Sequence, residues 1–143
     1  MVATERVRVE PYRAYNFEVE IDDVSVGFTE VSGLGCEFDY TEAEESVTSH
    51  VTDVTLRRGI TADTAIWSWV RSTMRGKPDR RTVTVRLLDD QHAEVCAWVL
   101  DQARLRRWSG PMLNAVGGNL AIEEIVLTAQ SVELISPDEP PVG

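Results

Sequence analysis

Tyr15-Asn16-Phe17-Glu18-Val19-Glu20-Ile21-Asp22-Asp23-Val24-Ser25-Val26-Gly27-Phe28-Thr29 alternates apolar and polar residues on both sides of an Asp-Asp pair. Successive side chains of a strand point to opposite faces, so strict alternation marks a half-buried strand. Tyr15, Phe17, Val19 and Ile21 share one face, and Val24, Val26 and Phe28 continue the pattern after the pair. Asp22-Asp23 is a weaker turn signal than Asn-Gly, but its position predicts a β-hairpin over 15 to 28.

Downstream, Ser32-Gly33-Leu34-Gly35 breaks the alternation. A third strand follows, with Cys36, Phe38 and Tyr40 on one face and Glu37, Asp39 and Thr41 on the other. The acidic, polar stretch 41 to 46 reads as a loop or strand tip. Val47, Ser49 and Val51 return, and then the apolar phase shifts to Val54 and Leu56. A one-residue shift predicts a β-bulge near Thr52-Asp53. The resulting hairpin, 36 to 57, is rich in Thr and Val and poor in large apolar groups. It buries little by itself and needs a partner surface, either the rest of the domain or another copy.

From Ile60 to Arg75 the period changes. Ile66, Trp67, Val70 and Met74 fall at helical spacing, Thr61 or Asp63 is placed to cap, and Gly76 and Pro78 stop the helix. Trp67 and Trp69 together cover a wider arc than one core face requires. Strands resume with Val83, Val85 and Leu87 inward, turn at 89 to 91, and return over 95 to 105 with apolar residues on both faces, as in a central or interface strand. The stretch 120 to 135 fits a helical stripe or a strand, and its β-branched content favours strand. The acidic, Pro-rich end 136 to 143 is expected to be a disordered tail.

Bulk properties bound the class. The 143 residues, 43% apolar and 27% charged, suit one domain with one core. No apolar run approaches the ~20 residues that cross a bilayer, and the polar start carries no secretory h-region. Cys36 and Cys96 lack metal or redox spacing and are read as buried thiols in a reducing compartment, with a single disulfide as the alternative. The net charge of -10 repels nucleic-acid backbone on average. The cluster Arg104, Arg106, Arg107 and Trp108 is therefore read as a solvated edge or as partners for acidic neighbours, with phosphate binding the rival reading.

Catalytic patterns are missing. His50 and His92 stand alone, outside any metal-ligand spacing. Gly33-Leu34-Gly35 lacks the third glycine and the helix of a dinucleotide fingerprint. Glu44-Glu45, Asp89-Asp90 and Glu123-Glu124 are sequence neighbours, and within a strand such pairs point to opposite faces. No catalytic residue, cofactor or metal is expected.

Four stretches in register resemble the tail-tube family of contractile phage tails and related injection systems. They are 15 to 34, from Tyr15-Asn16-Phe17 to Gly33-Leu34; Val54-Thr55-Leu56-Arg57-Arg58-Gly59-Ile60 leading to Ile66-Trp67-Ser68-Trp69; 80 to 90; and Trp108-Ser109-Gly110-Pro111 through Ile122-Glu123-Glu124-Ile125. The resemblance covers about 12 to 135, with 1 to 11 as an N-terminal arm. It implies a mainly β fold, an antiparallel sandwich or barrel with one flanking helix, and extended hairpins that join copies into stacked hexameric rings. It makes 120 to 135 strand. Phe38, Tyr40, Val47, Val51, Val54, Trp67 and Trp69 become expected inter-subunit residues. Glu37, Asp39, Glu42, Glu44 and Glu45 become candidates for the lumen or ring-ring face. Implied partners are further copies, sheath and baseplate proteins, and DNA or effector cargo in transit, in a particle assembled in the bacterial cytoplasm. The chain lacks the Lys-Leu-Pro-Gly type segment and longer loop that such tubes often carry before the Thr-Leu-Lys-Arg-Gly signature. An adaptor ring at the tube's end is therefore the alternative.

Overall fold

A computed structural model describes residues 11 to 136 except Tyr15. The N-terminal arm up to residue 10, Tyr15 and the tail from 137 onwards lie outside the described residues.

The first hairpin forms as its pattern requires. β1 (Phe17–Ile21) pairs with β2 (Val24–Val26), matching Val19 to Val26 and Ile21 to Val24. Asp22 and Asp23 both take positive φ, 48° and 66°, the two left-handed positions of a type I′ turn. Asp22 also accepts the Thr82 N–H through Oδ1 at 2.9 Å, which ties the turn to the next strand. That strand, β7 (Arg81–Leu88), lies antiparallel to β1 and carries Val83 and Val85 into the core.

β8 (Glu94–Ser109) organises the rest. Its first half lies between β7 and β10 (Ser131–Ile135); its second half pairs with β9 (Ile122–Thr128). Gln102, at φ 54°, lies within the strand close to where its partners change, and a register shift follows between Leu105 and Arg107. β9 pairs with β6 (Val54–Gly59), and β6 with β3 (Glu30–Ser32). The order is β2-β1-β7-β8-β9-β6-β3, with β10 on the free side of β8. The path ends at β2 and β3, so the expected antiparallel sheet is present but not closed into a barrel. The stretch 120 to 135 is strand, turn and strand.

One apolar cluster joins these parts. Val19, Val83 and Leu100 meet Val54, Leu56, Ile125 and Leu127 across it, and α1 (Ala65–Met74) covers it with Ile66, Trp69 and Val70. Of the two residues placed to cap, Asp63 supplies the bond. Thr64 occupies the N-cap without a side-chain bond, and the Asp63 carboxylate accepts the Ala65 N–H at 2.9 Å instead. Gly76, at φ 88°, ends the helix as predicted.

Two consequences alter the sequence reading. The second hairpin stops at Val51: β4 (Cys36–Tyr40) and β5 (Val47–Val51) form their own two-stranded ribbon, while β6 belongs to the main sheet. The phase shift at Thr52-Asp53 is a passage between sheets, not a bulge. Trp69 is 0% exposed and its indole N–H donates to the Asp79 carbonyl at 2.8 Å, so it belongs to the protomer's own core. Trp69→Ala is expected to cost about 3–5 kcal/mol. Trp69→Phe should cost less, chiefly the unsatisfied Asp79 carbonyl; urea unfolding of the two variants measures the difference.

Candidate assembly surface

The ribbon β4–β5 stands apart from the main sheet, and all five residues of β4 are exposed. Register sets its two faces: Cys36 opposes Val51, Phe38 opposes Ser49 and Tyr40 opposes Val47. One face is therefore apolar, with Phe38 at 57%, Tyr40 at 67% and Val47 at 52% exposure. The other carries Glu37 and Asp39, with the His50 ring between them at 3.2 and 3.6 Å. At the tip Glu44 turns the chain with φ 55°, and Glu42 and Glu45 flank it in the open. A two-stranded hairpin is marginal alone in water, and this one has an uncovered apolar face.

The base of the ribbon is pinned. Thr52 donates from its hydroxyl to the Gly33 carbonyl at 2.7 Å and from its backbone N–H to the Gly35 carbonyl at 3.1 Å. Gly33 has φ 87°, and a Cβ there would run into the backbone carbonyl oxygen of Asp53. Only glycine suits both demands. The Ser32-Gly33-Leu34-Gly35 break is thus the hinge that aims the ribbon.

The expected inter-subunit set divides. Phe38, Tyr40 and Val47 lie on the open face, and Val51 is half-buried at its root. Val54, 1% exposed, joins Trp69 in the core, so neither has surface left for another copy. Trp67 remains open at 37% and meets Trp108 edge to face, with ring centroids 5.5 Å apart. The five acidic candidates, Glu37, Asp39, Glu42, Glu44 and Glu45, are all exposed.

A buried charge network was missed. Arg58, 5% exposed, donates from Nε to Glu123 at 2.7 Å and from its terminal nitrogens to the Asp63 carboxylate at 3.3 Å and carbonyl at 3.1 Å. The second Glu123 oxygen accepts the Trp108 indole N–H at 3.2 Å. β6, β9, β8 and the entry to α1 are thereby joined at one guanidinium. Alternation contained the signal: Arg58 is in phase with the buried Val54 and Leu56, and Glu123 with Ile125 and Leu127. Glu124 points the other way, to Arg57 and Arg107. The Ala65 N–H, with Arg58 beside it, holds the Asp63 carboxyl below the usual range, and the Arg81 guanidinium does the same to Asp79.

The loop 110 to 121 also escaped the sequence reading. Met112, Leu113, Val116 and Leu120 are 80–95% exposed, an open apolar set beside a cavity of about 340 Å³ lined by Arg57, Asn114 and Asn119. The cysteines depart from expectation. Cys36 is exposed, Cys96 is half-buried, and both are free thiols. Burial, then Glu94, pushes the Cys96 thiol up and keeps it protonated. Arg106 and Arg107 pair with Asp53 and Glu124, as charges meeting acidic neighbours. Among the described residues no group of His, Cys, Asp or Glu is arranged to hold a metal, and no helix is long and apolar enough to cross a membrane.

An apolar ribbon face, an apolar loop and two open sheet ends leave apolar surface and strand edges uncovered among the described residues, as in a subunit built for assembly. The chain belongs to the T4-like virus tail tube protein gp19 family, whose model matches residues 13–133. Its fold is similar to a chain in the sheath-tube complex of the extracellular contractile injection system PVC, at 24% identity and a TM-score of 0.76, covering 95% of this chain and 99% of that one. It is likewise similar to a chain in the PVC sheath/tube terminator, at 25% identity and a TM-score of 0.76 over 90% and 100% of the two chains. Hcp1 from Flavobacterium johnsoniae is more distant, at 12% identity and a TM-score of 0.63 over 82% and 93%. No curated protein sequence matches the chain.

Glu123→Ala should destabilise the protomer by about 3 kcal/mol, because it strands a buried guanidinium. Thermal unfolding checks this, and Arg58→Met should cost less, since it removes the charge that needs partners. Acid should act on the same region. Asp63 and Asp79 have lowered folded values, so their stabilisation is complete above about pH 4 and is lost as pH falls through those values. A melting-temperature series from pH 7 to 3 should therefore drop at its acid end, and less steeply in Asp63→Asn.

Proposed function

We propose that the chain is a structural subunit of the inner tube of a contractile phage tail or contractile injection system. Copies assemble into hexameric rings that stack into a conduit for DNA or effector proteins, inside a sheath and upon a baseplate. The observation that carries this reading is the ribbon β4–β5: Phe38, Tyr40 and Val47 on its apolar face are each more than half exposed in the described protomer. A neighbouring copy supplies that cover and completes open strand edges, which otherwise invite uncontrolled pairing. A specific ring contact of this kind should bury more than ~1,000 Å². The acidic face, with Glu37 and Asp39 and the tip residues Glu42, Glu44 and Glu45, is then available to a hydrated lumen or to the ring-ring face. Assembly in the bacterial cytoplasm belongs to the same reading.

A second reading is an adaptor ring that ends the tube. Two observations favour it. The chain is similar to a chain in the PVC sheath/tube terminator and to one in the tube-terminating cap of the anti-feeding prophage, the latter at 22% identity and a TM-score of 0.77 over 95% and 99% of the two chains. Its segment between β4 and β6 is also short.

Electron microscopy of the purified protein, alone and with baseplate components, separates the two. Stacked rings of constant bore are expected for the tube; single rings that never stack indicate the adaptor. Phe38→Asp with Tyr40→Asp should abolish both forms while leaving the melting temperature within about 2 °C, because these exposed side chains add little to the isolated protomer. Normal rings from this variant would overturn the ribbon's role.

A further inference from the structure

α1 and the second half of β8 enclose a groove whose chemistry is opposite to that of the ribbon. Two adjoining clefts of about 220 and 280 Å³ share Thr73, Leu105 and Arg106. The floor is apolar, formed by Val70, Met74 and Leu105 with Trp108 at one end. Met74 is 72% exposed and Trp108 40%, so this floor lies open. Arg104, Arg106 and Arg107 line the clefts, the last two already paired with Asp53 and Glu124, and further cations stand on the neighbouring stretches of chain. Residues 64 to 81 and 102 to 109 hold eight of the chain's 14 Lys and Arg but one of its 24 carboxylates, Asp79. Asp79 is already taken by Arg81. Arg71, Arg75, Lys77, Arg80 and Arg104 are exposed, and none forms an ion pair among the described residues. Arg71 instead stands over the Trp67 ring at 6.0 Å.

The ribbon tip has the complementary composition. Residues 36 to 51 hold five carboxylates and no Lys or Arg. Glu42, Glu44 and Glu45 sit immediately beyond the exposed Tyr40–Val47 pair. The tip thus offers an apolar wedge edged by carboxylates, and the groove an apolar floor edged by guanidinium groups. A chain of net charge -10 repels its own copies over most of its surface. The groove is where an acidic segment is attracted.

We propose that this groove receives the acidic ribbon tip of a neighbouring copy, so that Glu42, Glu44 and Glu45 of one protomer meet Arg71, Arg75 and Arg104 of the next. The proposal rests on the tube reading above and names the surfaces that join. Tip and groove are different patches of one chain, so the contact is heterologous and passes from copy to copy, as closed rings or stacked rings require. The charged rim sets register and orientation, while the apolar floor excludes water.

Charge exchange tests it. The groove variant combines Arg71→Glu, Arg75→Glu and Arg104→Glu; the tip variant combines Glu42→Lys, Glu44→Lys and Glu45→Lys. Sedimentation gives the concentration at which half the protein assembles, in low salt, and melting curves check that each variant folds. Either variant alone should raise that concentration by about tenfold or more, and the protein carrying both sets should return to within about threefold of the wild type. The wild type should also assemble less readily between about 0.05 and 0.5 M NaCl, as screened charges predict. Should the triple groove variant melt early, Lys77→Glu with Arg104→Glu replaces it. Wild-type-like assembly by the groove variant, or no recovery in the combined protein, overturns the proposal and leaves the tube reading intact. A wild type that never associates, with or without baseplate components, overturns both.

Discussion

Backbone hydrogen bonding along β8 is the constraint on which the fold depends. Its residues pair with β7 and β10 up to Ala103 and with β9 from Arg104 onwards, so one strand belongs to two layers. Both layers and α1 contribute to the one apolar cluster. The positive φ at Gln102 lets the strand change partners without leaving the sheet, since a bulge bends and twists the strand that carries it. The bend also carries Trp108 to Trp67 and Glu123, where the Arg58 network joins the second layer to the helix.

The protomer therefore has two kinds of part. The core closes on itself, and the Arg58 ion network within it is tied on several sides. The ribbon, the loop 110 to 121 and the ends of the sheet remain open. Gly33 stands at the border, where the chain leaves β3 for the ribbon and returns through Thr52 to β6. A stiff hinge matters to an assembly part, because a ribbon free to swing would lose orientational entropy each time it found a partner. The hinge removes much of that loss before association.

Local periodicity made much of this legible, and the misreadings share a cause. The hairpin at 15 to 28 and the helix end at Gly76 are local events, fixed by alternation, turn residues and a stop signal. Thr52-Asp53 was misread because a one-residue phase shift looks the same whether a strand bulges or passes to another sheet. Only the pairing of β6 with β3 and β9 separates the cases, and those partners lie distant in sequence. The tryptophans were grouped although residues two apart on a helix point about 200° apart; one had to face inward, and it is Trp69. Val54 was likewise counted with the ribbon whose sheet it does not join. Cys36 was taken as buried because the type usually is, yet it follows the phase of Phe38 and Tyr40. Arg58 is in phase with Val54 and Leu56, but its alternation was not followed past Leu56. The apolar loop 110 to 121 has no period, so pattern reading passed over it.

An exposed apolar surface raises the problem of avoiding the wrong partner, and charge placement answers it here. Phe38, Tyr40 and Val47 alternate with or adjoin Glu37, Asp39 and the acidic tip, so two ribbons meeting edge to edge bring carboxylates together with no Lys or Arg of their own to neutralise them. Such like-charge contact is a natural defence against indiscriminate strand pairing. The same charges leave attraction only to a cationic surface, and the chain concentrates its cations around α1 and the end of β8. In the proposed tip-to-groove contact, repulsion between like parts and attraction between unlike parts favour a head-to-tail arrangement over a two-fold one, in which each patch would face its own copy. On that proposal the acidic balance of the whole chain and the basic groove within it act on the same choice: the first opposes the symmetric pairing, and the second favours the repeating one.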